Sequence, residues 1–126
     1  MTRLTMCISS IAVLAIVMAN GIVALAHSFP ESEIPSAGQK VAWAPSEVTI
    51  NFDAPIEKLF AKLEVTDADG KNEAVGAPQI SEDARRMSVK VDPLKPGDYT
   101  VKWAVVGIDT HHTEGSYTFS VASGGS

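Results

Sequence analysis

An all-β domain, closed as a sandwich or a barrel, is the fold class the sequence predicts, and three observations predict it. Apolar and polar residues alternate in several short runs. Turn-forming residues separate those runs. Beyond Ala26, no stretch has the apolar spacing of an amphipathic helix of three turns. Alternation with period two means that each run buries one face. Many short strands with turns between them give a sandwich or barrel.

The segment from Met1 to Ala26 stands apart from this pattern. Arg3 supplies one positive charge, the run from Ile8 to Ala26 is uncharged, and Ile11 to Met18 is its apolar centre. The run ends in Ala24-Leu25-Ala26, the small-x-small pattern read by signal peptidase. Residues 1–26 are therefore expected to be a secretory signal cleaved after Ala26, which leaves His27 to Ser126 as one exported domain. Cleavage removes Cys7, the chain's only cysteine, together with Met1, Met6 and Met18. The mature chain then has no disulfide and no thiolate metal site. Nine basic and 15 acidic residues remain, a formal net charge of −6. That balance argues against nucleic acid or an anionic membrane surface as partner.

The strands follow in order. Phe29 to Val41 is weakly patterned and is expected to give an edge strand and a proline-containing bend. Val48, Ile50 and Phe52 alternate with Glu47, Thr49 and Asn51, and Ala54-Pro55 ends that strand. Leu63 and Val65 form the next, and Asp67-Ala68-Asp69-Gly70 reads as a hairpin turn after it. Met87, Val89 and Val91 form a third, followed by a turn at Lys95-Pro96-Gly97-Asp98. Tyr99, Val101, Trp103 and Val105 form a fourth; Trp103 lies in phase with its valine neighbours and belongs to the core. Tyr117, Phe119 and Val121 form the last, in a strand expected to start near Gly115.

Three histidines remain after cleavage: His27, His111 and His112. At the start of a chain, His27 offers two nitrogens from one residue, the α-amine and the ring Nδ1, which together close a small chelate ring on a metal. An α-amine has a reference pKa of about 7.7–8.0 and an imidazole about 6.5, so both give up a proton cheaply near neutrality. Asp109-Thr110-His111-His112 is the second feature. Read as extended backbone, it places Asp109 and His111 on one side and His112 on the other. Amine, two imidazoles and a carboxylate make a set of three nitrogens and one oxygen. Tetragonal N,O coordination suits copper(II), which also heads the divalent affinity order. Zinc would prefer a tetrahedron, often with sulfur.

With these residues in place, the chain resembles the CopC/PcoC family of periplasmic copper-binding proteins over nearly the whole mature length. The resemblance is carried by His27 followed by Pro35 and Ala37-Gly38, by Ala44-Pro45-Ser46-Glu47-Val48, and by Ile50-Asn51-Phe52-Asp53-Ala54-Pro55-Ile56. It continues through Val65 to Gly70, Leu94 to Trp103, and Val106 to Phe119, the last similar to the family's Ser-x-Asp-Gly-His-Pro-x-x-Gly-x-x-x-Phe. It implies an immunoglobulin-like Greek-key β-sandwich of about seven strands. It also implies a non-enzymatic copper(II) carrier or buffer in the periplasm, holding one ion through His27, Asp109 and His111. A CopD-like inner-membrane copper permease is the partner it implies. Some members carry a methionine-rich copper(I) site, whereas this mature chain has Met87 alone. Thr110 replaces the usual glycine, His112 the usual proline, and Ala54 a frequent acidic residue. The competing function is a mononuclear copper oxidase or oxygenase with a His-brace-like site. A carboxylate ligand in the copper plane favours holding the ion over turning it over.

Overall fold

The computed structural model describes residues 28–124. The expected leader, residues 1–26, and His27 lie outside the described residues. The described residues form eight strands: β1 Pro30–Ile34, β2 Lys40–Val41, β3 Glu47–Phe52, β4 Lys62–Thr66, β5 Ala74–Ile80, β6 Arg86–Val91, β7 Gly97–Val106 and β8 His112–Val121. A single 3₁₀ turn, Lys58–Phe60, lies between β3 and β4. One sheet has the order β1-β3-β6-β5 and the other β2-β8-β7-β4. β1-β3-β6-β5 and β8-β7-β4 match the A-B-E-D and G-F-C orders of a constant-type immunoglobulin sandwich, and β2 is added parallel to β8 at the edge of the second sheet.

Alternation along the strands builds the core. Leu63 and Val65 of β4, Met87, Val89 and Val91 of β6, and Tyr99, Val101, Trp103 and Val105 of β7 all turn inward. Trp103 meets Phe52 edge-on across the two sheets, with ring centroids 5.5 Å apart. Gly115 faces Trp103 across the β7–β8 ladder. A Cβ at Gly115 would lie 2.7 Å from the indole, so the ring depends on that glycine for its room.

Three elements differ from the sequence reading. β5 carries Gly76 and Pro78, which weaken any strand signal. It forms because it is an edge strand, where a missing N–H is tolerated, and its register shifts between Val75 and Gln79 around those two residues. The turn at Asp67–Gly70 is made: the Gly70 N–H donates to the Asp67 carbonyl, and the Asp67 carboxylate accepts from the Lys71 and Asp69 amides. Those amides hold its carboxyl below the usual range. It joins strands of different sheets, however, because β4 belongs to one and β5 to the other. Finally, β8 begins at His112 and not near Gly115, with Val106 paired to His112.

Tyr117 faces the core, and its hydroxyl is buried with no hydrogen-bond partner among the described residues. Burial pushes the phenol well above its ordinary value, and the Glu33 charge adds to this. The folded state therefore keeps a proton that the unfolded chain gives up above about pH 10, so stability falls as pH rises past that point. Tyr117→Phe should raise stability by about 1 kcal/mol at pH 7, since a buried unpaired hydroxyl is removed. Thermal melts should show that advantage growing at pH 11. Alkaline sensitivity will not vanish, because burial raises Tyr99 as well.

Candidate metal centre

β7 and β8 form a long hairpin, and the loop at its tip carries Asp109 and His111. The Gly107 N–H donates to the His111 carbonyl at 2.9 Å, and the Thr110 N–H donates to the Gly107 carbonyl at 2.9 Å. Thr110 closes the loop with φ 73°. Short hairpin loops need a left-handed residue at this last position, and glycine fills it most easily. A β-branched residue there is strained.

The loop corrects the expected geometry. Asp109 and His111 do converge, but through a tight turn and not through extended backbone. The Asp109 carboxylate accepts from the His111 backbone N–H at 3.1 Å, and its other oxygen lies 3.0 Å from His111 Nδ1. Both side chains are partly exposed. His112 has left the loop: it is the first residue of β8, exposed, on the opposite strand phase from buried Thr113. The Asp109–His111 contact is a hydrogen bond here, and its length is also close to the spacing of two donors on one metal. Two donors at about 2 Å from one ion in adjacent coordination positions stand about 2.8 Å apart. No group of three or more His, Cys, Asp or Glu side chains is gathered among the described residues. The third expected donor, His27, lies outside them.

The first described residues lie beside this loop. Ser28 is buried at 1% exposure, and its hydroxyl donates to the Pro55 carbonyl. The Thr113 hydroxyl donates to the Ser28 carbonyl at 2.8 Å. Asp53 exchanges two bonds with Phe29: its carboxylate accepts the Phe29 N–H at 2.8 Å, and its own N–H donates to the Phe29 carbonyl. A Cβ at Gly107 would lie 2.6 Å from Asp109 Oδ1 and 2.9 Å from Ser28 Oγ. One glycine is thus the meeting point of the loop carboxylate and Ser28. Ser28 and Thr113 escaped the sequence reading; Asp53 stands in it only as the acidic neighbour of Ala54, without its bonds to Phe29. The one available signal was Thr113, a polar residue in phase with the inward positions Tyr117 and Phe119.

Gly107→Ala should therefore displace the Asp109 carboxylate or the Ser28 hydroxyl. The expected cost is about 1–2 kcal/mol of stability, as for other overpacked sites. In NMR spectra the His111 ring and Ser28 resonances should shift while those of β5 and β6 stay in place.

Residues 30–122 match the CopC domain family. The chain belongs to that family. Protein YobA of Escherichia coli is 38% identical over 98 residues, covering 76% of this chain and 79% of that protein. Copper resistance protein C of Escherichia coli is 33% identical over 114 residues, covering 84% of this chain and 90% of that protein. The crystal structure of CopC from Methylosinus trichosporium OB3b superposes with a TM-score of 0.72 at 31% identity, covering 76% of this chain and 94% of that one. The sandwich order and the hairpin-tip position of Asp109 and His111 thus belong to a CopC-family domain.

Proposed function

We propose that this chain is an exported copper(II) carrier or buffer. In this reading, one ion is held by the α-amine and ring of His27 together with Asp109 and His111. The leader, residues 1–26, is removed after Ala26 in the periplasm, and the copper is cargo, not a catalytic cofactor. The observation that carries the reading is the convergence at Gly107. Asp109 and His111 stand 3.0 Å apart there, and buried Ser28 lies against the same point.

A carboxylate beside imidazole at the tip of a rigid hairpin also favours a carrier over an oxidase. Asp109 would fill a position in the copper plane that an oxygen-activating site keeps open. The partner in this reading is a CopD-like inner-membrane copper permease. Four large apolar side chains, Phe29, Leu59, Phe60 and Ile108, are exposed at this end of the sandwich, where such a partner would cover them.

Copper(II) titration of the mature protein, followed by electron paramagnetic resonance, tests the assignment. His111→Ala should weaken binding about tenfold or more and change the spectrum, since a ligand nitrogen is lost. His112→Ala should leave both unchanged, because that ring stands on the strand beyond the loop. The reverse ranking would remove His111 from the site.

A further inference from the structure

We infer that Thr113 and Asp53 are positioning residues that set how the start of the mature chain reaches the Asp109–His111 pair. The inference rests on the copper reading above. The β1 ladder cannot do this work alone. β1 begins at Pro30, which has no N–H to donate, and its register slips between Pro30 and Ser32. Residues 28 and 29 lie before that strand, where one backbone bond, Asp53 N–H to the Phe29 carbonyl, is joined by side-chain bonds from Thr113 and Asp53.

They do so from both sheets. Thr113 belongs to β8 in one sheet, and its hydroxyl holds the Ser28 carbonyl through a buried bond. Asp53 follows β3 in the other sheet, and its carboxylate holds the next amide, Phe29 N–H. Asp53 is itself fixed, because the Arg85 guanidinium donates to its carbonyl at 2.7 Å. The Ser28–Phe29 peptide group is therefore gripped from opposite sides, one residue beyond His27. Thr113 sits in a row of inward positions completed by Gly115, Tyr117, Phe119 and Val121. Valine would fill its space equally well, so the hydroxyl is explained by the bond it makes. A donor on His27 must meet Asp109 and His111 within a few tenths of an ångström, and a frayed start would lose that geometry.

The test uses the mature protein, copper(II) as the probe, and temperatures well below each variant's melting point. Thr113→Val and Asp53→Ala should each lower copper(II) affinity about tenfold and alter the paramagnetic resonance spectrum. Asp53→Asn keeps an oxygen acceptor for Phe29 N–H and should restore both. In the metal-free protein, amide exchange at Phe29 should accelerate in Asp53→Ala and not in Asp53→Asn. If Asp53→Asn loses affinity as fully as Asp53→Ala, Asp53 acts through its charge and the positioning role is overturned. If Thr113→Val and Asp53→Ala bind copper like the parent while His111→Ala does not, the inference falls and the copper site stands. If His111→Ala also binds like the parent, the copper site itself is wrong.

Discussion

Mature protein whose His27 α-amine has been acetylated should bind copper(II) roughly a thousandfold more weakly than the free-amine form, a loss of about 4 kcal/mol. Acetylation turns a basic nitrogen into an amide and leaves the imidazole in place. It therefore removes one donor and also the chelate ring, which needs the amine and ring nitrogens of the same residue. Losing the ring of His111 removes a single monodentate donor, so its cost should be smaller. The sequence of effects is informative: acetylation first, His111→Ala second, His112→Ala negligible. Isothermal titration against a competing chelator measures all three on one scale. The precursor with its leader attached should behave like the acetylated protein, because its His27 nitrogen is also an amide. An acetylated protein that binds as tightly as the free form would remove the α-amine from the site and break the link between leader cleavage and copper binding.

The parts of the molecule legible in the sequence are those where one physical rule acts alone. Val101, Trp103 and Val105 alternate with Lys102 and Ala104 because β7 has one face on the core, and burial follows the alternation. β5 was hidden because its signal depends on its being an edge strand. Pro78 and Gly76 are unfavourable in a central strand and acceptable beside an unpaired edge, and only the sheet order reveals which applies. Asp109 and His111 were legible as residue types at a short spacing. Their geometry was not, since Thr110 takes a left-handed conformation that few residues of its kind adopt and that no local pattern announces. Asp53 was legible only as an acidic residue beside Ala54, and Thr113 was not legible at all. Their roles depend on bonds to Phe29 and Ser28, distant in the chain, which the sandwich creates when it closes.

Copper(II) should raise the melting temperature of the mature domain by roughly 15 °C when the free ion is about a thousandfold above Kd. A ligand that binds only the folded state adds RT ln(1 + [L]/Kd), about 4 kcal/mol under those conditions. For a domain of about 100 residues, each kcal/mol is worth about 4 °C or more. The effect is expected because the proposed donors are far apart in the chain: His27 opens the mature sequence, and the hairpin tip with Asp109 and His111 lies near its other end. Unfolding separates them and destroys the site. The metal should nonetheless be dispensable for the fold. The core from Val48 to Val121 is made of buried apolar side chains between two hydrogen-bonded sheets, and it includes none of the proposed donors. Adding a chelator should return the melting temperature to its metal-free value and leave the circular dichroism of the sandwich unchanged. Acid should close the same gap. Copper binds the deprotonated form of each donor class, so protons compete as pH falls past the reference values: about 7.7–8.0 for an α-amine, about 6.5 for an imidazole and about 3.9 for a carboxylate. Stabilisation by copper is thus greatest at and above neutrality and declines progressively below it. Melts of loaded and metal-free protein between pH 8 and pH 4 should converge toward the acid end. A gap that persists undiminished to about pH 4 would rule out a site built on an amine and two imidazoles. Unfolding on chelation alone would make copper a structural staple and overturn its reading as cargo.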